Sequence, residues 1–366
     1  MQQKFRMFLY IIRPIGIRVK ICDYVNQNTA HSRGIDLSER TVLEMSVITK
    51  AGLLALAAVL LLPSAQTTQA AQPEPLIVIV QKRQDAQERT LRVLRDGSVE
   101  EAALDTYLAQ VVLSEMPASF APEALKAQAV SAHTWALYCQ KQARQNGQPY
   151  DFSADPSRWQ GYVTEQQARE RFGSYFDEYW GRVSQAAQSV DGQILVDSRG
   201  QPIVAAYHAI SAGKTEPAQN VWGNELPCLT AVDSAGDRHA PGYEKTTAIP
   251  IEQLRQKLEQ QDIRLSDDPA QWLAVLERSD SGYVTRMQVG ESQQSGLWLR
   301  ELLGLRSSDF DWEIQDGNFV FTTRGYGHGV GLSQYGADYL ARQGKSYREI
   351  LAHYYTGAVL QERTDF

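Results

Sequence analysis

The stretch Leu108–Tyr138 constrains the fold of this chain more than any other, because it predicts two helices that meet at a corner. Apolar residues such as Leu108 and Val111 recur at helical spacing, so the first helix has one apolar face. Proline disfavours the helical conformation of the residue before it, so this helix is expected to end just before Pro117. A single carboxylate, Glu115, lies at that end.

The second helix of the corner is expected to begin at Pro122, because proline is favoured at the first helical position, with Ser119 or Ala121 as its cap. One side of this helix carries mostly small residues, which allows close packing: Leu125, Gln128, Ala129, Ala132 and Ala136. Glu115 would then be held between two apolar faces. A carboxyl group in such a place can have a raised pKa and donate a proton near neutral pH.

The charge of the chain argues against nucleic acid as a partner. The net charge is −7 over 366 residues, but residues 1–50 carry +4, so the remainder carries −11. A mildly acidic body does not offer the basic surface that nucleic acids require.

The three cysteines form no C-x-x-C pair, so neither a disulfide framework nor a thiolate zinc site is indicated. Cys139 could pair with Cys228 outside the cell. Two buried, unreactive thiols are the favoured alternative.

The N-terminal region predicts export. The run Ala51–Leu62 is shorter than a usual transmembrane helix and is followed by small residues, as in a signal peptide. Met45 lies just upstream, so residues 1–44 are either a cytoplasmic leader or a mis-assigned start, and residues 45–72 a signal peptide or membrane anchor. The exported body is then residues 75–366.

Helices and strands follow one another in no strict order, which predicts an α+β fold with mixed helices and an antiparallel sheet around one catalytic cleft. The predicted strands are Leu76–Gln81, Thr90–Leu94, Gln193–Val196, Ile203–His208, Tyr283–Val289 and Phe319–Thr323, the third and fourth forming a hairpin. The predicted helices after the corner are Glu165–Phe172, Tyr175–Val190, Ile251–Gln261, Pro269–Glu277, Leu297–Leu303, a segment ending at Gln343, and Tyr347–Tyr355. The segments 146–161 and 211–237 are expected to be loops.

The segment Arg324–Ala337, RGYGHGVGLSQYGA, is unusually rich in glycine. Its glycines fall at every second position, which matches neither G-x-G-x-x-G nor a P-loop, and its serine does not fit G-x-S-x-G. The alternation suggests a backbone that closely approaches another part of the molecule and projects Tyr326 and His328 into a cleft. A Gly-rich turn without function is the simpler alternative.

The histidines do not predict a metal site, because they are scattered and none stands at ligand spacing from another. Taken singly, Glu115 would more often be a surface or capping carboxylate, and His208 or His328 a structural histidine. A functional role for these residues is favoured only when the sequence segments that contain them are considered together.

Three separated segments together resemble the stage II sporulation protein D family, which includes the amidase enhancers of bacterial cell walls. They are YLAQVVLSEMPASFAPEALKAQAVSAHTWALY, AAYHAISAGKTEPAQNVWGNELPCLTAVDS and RGYGHGVGLSQYGA, in the family's order between Tyr107 and Ala337. The resemblance implies a lytic transglycosylase that cleaves the MurNAc-β-1,4-GlcNAc bonds of peptidoglycan, on strands stripped of stem peptides, to 1,6-anhydro-MurNAc ends during spore engulfment.

The resemblance also implies residue roles. The catalytic residue would be Glu115, the glutamate of the family's Glu-Met-Pro segment. Lytic cleavage needs one carboxyl group, whereas ordinary glycosidases need two. Substrate-binding residues would form two opposite walls of the cleft, with Trp222 or Tyr335 stacking on a sugar: Tyr207, His208, Ser211, Gly213 and Thr215 on one side, and Tyr326, His328, Ser333, Gln334 and Tyr335 on the other.

No cofactor is expected. Some relatives bind zinc through a histidine and two cysteines, but residues 140–161 contain neither residue type, so no metal is predicted. The implied partners are peptidoglycan strands, an amidase (stage II sporulation protein P) and the membrane complex of engulfment. Two other functions remain open: a non-catalytic wall binder that enhances an N-acetylmuramoyl-L-alanine amidase, and a structural engulfment scaffold.

Overall fold

The chain divides into two units, Met1–Lys82 and Arg83–Phe366. In the first unit, strand β1 (Met7–Arg13) pairs antiparallel with β2 (Gly16–Cys22). The residues described by the computed structural model are 7–13, 16–22, 89–154 and 160–362. The run Ala51–Leu62 and the predicted strand Leu76–Gln81 lie outside them. Within them, no helix is both long enough and apolar enough to cross a membrane.

The described part of the second unit mixes helices with small sheets. Its helices are α1 (Leu104–Glu115), α2 (Pro122–Gln145), α3 (Glu165–Phe172), α4 (Phe176–Ser189), α5 (Ala218–Trp222), α6 (Ile251–Glu259), α7 (Gly296–Leu303), α8 (Gln334–Arg342) and α9 (Tyr347–Tyr354). Its strands are β3 (Thr90–Arg95), β4 (Ser98–Ala103), β5 (Phe152–Ser153), β6 (Gln193–Val196), β7 (Tyr207–His208), β8 (Glu244–Pro250), β9 (Leu273–Arg278), β10 (Val284–Val289), β11 (Ser292–Gln294), β12 (Phe310–Gln315), β13 (Asn318–Arg324), β14 (Leu332–Ser333) and β15 (Val359–Glu362). The predicted α+β class is confirmed.

A first hydrophobic core lies around α2, whose small residues let neighbouring helices pack closely. α2 contacts α1, α4, α8 and α9, and Ala129, Ala132 and Ala136 are fully buried against them. The predicted stripe of small residues is therefore the packing face of the central helix.

A second core is formed by the segment from β8 to β13. The antiparallel sheets β12-β13-β8 and β11-β10-β9 bury Trp272, Phe319 and Phe321 together with apolar residues of α6 and α7. Trp272 stacks on Phe319 with 5.8 Å between ring centroids. This second core was not predicted from the sequence.

The predicted helix Pro269–Glu277 is wrong. A short 3-10 turn, Pro269–Gln271, leads into strand β9. The apolar residues of this short segment suit either structure, and the pairing of β9 with β10 decides in favour of a strand.

The predicted hairpin is only partly correct. β6 forms, and a turn follows it, with a bridge between Val196 and Pro202. The long partner of β6 is β15 from the end of the chain, however, and β7 pairs elsewhere. The choice between these partners depends on contacts between residues far apart in sequence.

Candidate active site

The helix corner forms as predicted. α1 ends at Glu115, because Met116 adopts an extended conformation (φ −126°, ψ 140°) before Pro117. Ala121 is the cap of α2, and its N–H donates to the Asp338 carboxylate at 2.7 Å. Asp338 belongs to α8, so a third helix holds the corner in place.

The Glu115 carboxyl group lies in a half-buried site with two hydrogen-bond donors. The N–H of Gly161 donates to its Oε1 at 2.6 Å, and the Gln334 side chain also donates to it. Burial raises the pKa of Glu115, and the two hydrogen bonds only partly oppose this effect. A carboxyl group in this state is suited to donate a proton.

A chain of hydrogen bonds fixes the tyrosine beside Glu115. The Tyr207 hydroxyl donates to Gln160 Oε1 at 3.0 Å, and Gln160 Nε2 donates to the Tyr107 hydroxyl at 2.6 Å. Burial, followed by the nearby Glu115 charge, raises the pKa of Tyr207 well above its usual value. Tyr207 therefore keeps its phenolic proton.

Glu115 and Tyr207 line a cleft of about 820 Å³ between the two cores. One wall comes from the first core and from the Gly-rich segment: Glu115, Trp135, Gln160, Val204, Ala206, Tyr207, Val221, Trp222, Gly327 and His328. The other wall comes from α7 and the residues after it: Leu297, Arg300, Glu301, Gly304 and Leu305.

The prediction that the two motif segments face each other across the cleft is wrong. β7 and β14 pair side by side in parallel, and Ile210 bridges to Tyr326. Both segments therefore belong to one wall. Helix α7, whose sequence pattern carries no functional indication, supplies residues of the other.

The glycines of the third segment allow the close approach that their alternation suggested. Gly325, Gly327, Gly329 and Gly331 all have positive φ, and at each of them a Cβ would lie within 3.0 Å of an atom from outside the segment. His328 lines the cleft as predicted. Tyr326 instead is 49% exposed, with the Arg306 guanidinium 4.3 Å from its ring centroid.

Several residues predicted to bind substrate lie in a buried cluster behind the cleft. The Asp237 carboxylate accepts from the Ser211 hydroxyl at 2.5 Å and from the Ser333 hydroxyl at 2.8 Å. The Thr215 hydroxyl contacts the backbone of Val232. These residues join the second and third motif segments, so their position indicates support of the wall. Gly213 approaches Arg238, with φ +101°.

The other predicted residues lie nearer to Glu115. Gln334 contacts its carboxyl group, as described above. Trp222 is 40% exposed in the cleft wall, with its ring centroid 5.4 Å from that of His328. Tyr335 packs edge-on against Phe120, next to the corner, with ring centroids 4.9 Å apart.

Two histidines beside Arg300, the buried His208 and the half-buried His328, stay neutral. Burial, with the neighbouring His328 next, lowers the pKa of His208 to about 3. Burial and then the Arg300 charge lower the pKa of His328 to about 4. His208 Nδ1 lies 3.1 Å from the Val330 carbonyl.

Because these two histidines are neutral in the folded protein, we expect the free energy of unfolding to fall in mild acid. Unfolded histidines bind protons below about pH 6.5, whereas the folded ones do so only near pH 3–4, so the free energy of unfolding falls as the pH drops through that window. Each histidine contributes at most about 1.4 kcal/mol per pH unit. Urea unfolding from pH 7 to pH 5, compared between wild type and His328→Gln, measures this contribution. An equal slope in both proteins would contradict it.

The polar and aromatic cleft residues that sequence reasoning missed include Trp135, Gln160, Arg300 and Glu301. Gln160 lies in an aperiodic loop, and the other three lie on helices whose pattern indicated only packing. Asp233, a carboxylate of the second motif segment, does not line the cleft, whereas Glu301 does.

The described residues contain no group of three potential metal ligands. Cys139 and Cys228 are both free thiols. Cys139 is buried, and burial raises its pKa, so it is an unreactive thiol of the core.

Comparison with known proteins points to the same family as the motif segments. Residues 95–196 match the family model of the stage II sporulation protein. The chain is 36% identical to stage II sporulation protein D of Bacillus amyloliquefaciens over 74% of this chain and 77% of that protein. It is 34% identical to the protein of the same name from Bacillus subtilis, with the same coverage of both chains.

This chain belongs to the stage II sporulation protein D family. It is also 26% identical to the amidase enhancer of Bacillus subtilis, over 68% of this chain and 39% of that longer protein.

Proposed function

We propose that this protein is a lytic transglycosylase that cleaves peptide-stripped peptidoglycan strands at MurNAc-β-1,4-GlcNAc bonds. Membership of the sporulation family, together with a relative named amidase enhancer, supports a role at the cell wall in sporulation. The specific reaction is inferred from the cleft. Its substrate would be a polymer of sugars, which suits a long cleft lined by aromatic and hydrogen-bonding side chains.

The observation that carries the proposal is the position of Glu115. Besides the large cleft, Glu115 also lines a second pocket of about 340 Å³, which includes Arg171, Phe172 and Tyr179. A carboxyl group between two pockets lies where a bound strand would have sugars on both sides of the bond to be cut. Because burial raises its pKa, the Glu115 carboxyl group can hold the proton that it donates in the reaction.

The reaction balances with Glu115 alone. The Glu115 carboxyl group protonates the glycosidic oxygen, and the C1–O bond breaks. The resulting carboxylate then takes the proton of the C6 hydroxyl as that oxygen bonds to C1. The products are a 1,6-anhydro-MurNAc end and a free 4-hydroxyl on the departing GlcNAc, and no water is consumed. General acid–base help of this kind contributes roughly 10²–10⁴ in rate.

Product analysis tests this reaction against hydrolysis. The purified body, residues 75–366, is incubated with peptide-free strands, and the new ends are identified by mass spectrometry. Anhydro-MurNAc ends are expected. Reducing ends would overturn the lytic mechanism, because water would then be the nucleophile and Glu301 the available base in the cleft.

The second candidate is a wall binder that enhances an amidase, which the 26% identity to the amidase enhancer favours. Such a binder would bind strands without yielding any products. Addition of an N-acetylmuramoyl-L-alanine amidase separates the two functions, because a pure enhancer accelerates release of stem peptides and leaves the glycan length unchanged. A shortened glycan in the absence of amidase excludes the pure binder.

We further propose that the body acts outside the cytoplasm, on the wall side of the membrane, next to an amidase such as stage II sporulation protein P. The substrate supports this location, because peptidoglycan lies there. Protease added to intact protoplasts should degrade the body. Protection from the protease would contradict export.

Removal of the Tyr207 hydroxyl should slow the reaction without unfolding the protein. In Tyr207→Phe, Gln160 loses the donor at 3.0 Å, and one hydrogen bond near the reacting carboxyl is worth about tenfold in rate. We expect a roughly tenfold lower kcat in a protein that still folds, with a Tm lowered by only about 2–8 °C because a buried acceptor loses its donor. Tyr339→Phe, on the outer side of α8, is the matched control. An unchanged kcat in Tyr207→Phe would contradict this role.

A further inference from the structure

Arg300 is a cation without a charge partner in the cleft. It lies near the end of α7 and lines the same cleft as Glu115. Its Nε is buried and has no hydrogen-bond partner. Among the described residues, no carboxylate forms an ion pair with its guanidinium, in contrast to Arg278 and Arg324 on the same core, which pair with Asp309 and Asp311.

The surroundings of Arg300 leave its charge uncompensated. Burial lowers its pKa, and the adjacent Glu301 opposes this only by acting through space. Tyr326 and Tyr283 also interact with the guanidinium, and the neighbouring His328 and His208 are neutral. Glu301 is therefore the one carboxylate that acts on Arg300 among the described residues. A guanidinium that lines a cleft without a paired carboxylate is suited to bind an anionic group of a ligand.

We propose that Arg300 binds the lactyl carboxylate of N-acetylmuramic acid and thereby selects peptide-free strands. This inference rests on the proposed function, since it takes a glycan strand as the occupant of the cleft. The lactyl group is attached to the sugar ring next to the bond that is cut. It carries a free carboxylate only after the stem peptide has been removed, because in an intact strand the same carbon forms a neutral amide.

A stem peptide also carries carboxylates, so it is the rival source of the anion. Those groups lie at the end of a flexible chain, whereas the lactyl carboxylate has a fixed distance from the ring. A rigid guanidinium on a helix, with the planar donors that match a carboxylate, suits the fixed group better.

Binding measurements in the Glu115→Gln background test the assignment without turnover. The ligands are peptide-free strands, the same strands with the lactyl carboxylate converted to a carboxamide, and peptide-bearing strands. The variants add Arg300→Met, which keeps much of the aliphatic stem, or Arg264→Met as a control, since the Arg264 side chain is 85% exposed. Calorimetry gives the Kd of each pair.

Arg300→Met should weaken binding of peptide-free strands by roughly 10- to 100-fold, the usual loss for a charge-assisted hydrogen bond. It should leave carboxamide strands unchanged, and Arg264→Met should change neither. Equal losses on carboxylate and carboxamide strands, or no loss on either, would overturn the proposal. A loss confined to peptide-bearing strands would mean that Arg300 binds a carboxylate of the stem peptide. That result would overturn the lactyl assignment.

Failure of the proposed function remains distinguishable from failure of this inference. If the protein with Glu115 intact yields no products but binding still depends on Arg300 and the carboxylate, the chain is a carboxylate-selective binder. If anhydro ends form but the Kd does not depend on Arg300, the lytic activity is supported and the assignment of Arg300 is wrong.

Discussion

Glu115→Gln should abolish cleavage of peptide-free strands while leaving strand binding within about threefold of wild type. Glutamine keeps the size of the side chain and an oxygen that accepts from the Gly161 N–H. It cannot give up a proton as an acid, nor take one from the C6 hydroxyl. The loss of both roles should lower kcat by at least about 10²–10⁴. The measurement is the rate of new anhydro-MurNAc ends, together with the Kd for intact strands.

Glu301→Gln is the matched control, because it removes the other carboxylate that lines the cleft. In the one-carboxyl mechanism this variant stays within a few-fold of wild type. If Glu301→Gln is as inactive as Glu115→Gln, two carboxylates share the work and the enzyme is a hydrolase. Full activity of Glu115→Gln would mean that the Glu115 carboxyl group takes no part in the reaction.

The pH dependence of kcat also tests whether protonated Glu115 starts the reaction. The reaction starts from protonated Glu115, whose pKa is raised by burial. The rate should therefore fall as the pH rises through that raised pKa, and a plot of kcat against pH should show a descending limb. A limb at the ordinary pKa of glutamate would mean that burial does not act on the working enzyme.

The helix corner was predictable because its determinants are local. The apolar spacing up to Val112 and the restriction that Pro117 imposes on Met116 act within a few residues. The glycine alternation was equally informative, since positive φ is a property of single residues. The position of Glu115 at the corner and a raised pKa could thus be predicted from local sequence, whereas its catalytic role was implied only by the family resemblance.

The second wall could not be predicted, because it depends on contacts between distant segments. Helix α7 was correctly expected near Leu297–Leu303, but nothing in that pattern says that Arg300 lines the same cleft as Glu115. Ser211 and Ser333 illustrate the converse. Their motifs predicted that they bind sugar. In the structure, both hydroxyls instead donate to the carboxylate of Asp237, which lies outside the three motif segments, and these hydrogen bonds hold the wall together.

The same wall gives the largest expected effect on stability, in Gly331→Ala. A Cβ at Gly331 would lie 2.1 Å from the carbonyl oxygen of Ala206, and the residue has φ +73°. The obstacle is backbone next to the β7·β14 pairing, so no side-chain rotation relieves it. The variant must either separate the two strands or shift the cleft wall, and we expect it to lose more than about 4 kcal/mol of unfolding free energy.

Gly344→Ala separates the collision from the cost of the dihedral angle. Gly344 has φ +87°, but a Cβ there would have no atom within 4 Å. That variant should lose only about 1–2 kcal/mol, the cost of a left-handed conformation for an ordinary residue. Urea unfolding of both variants gives the difference directly, and soluble yield serves as the readout if Gly331→Ala does not fold. Equal losses in the two variants would mean that the Gly-rich segment can move away from Ala206. The wall would then be mobile, and His328 and Glu115 would not be held at a fixed separation.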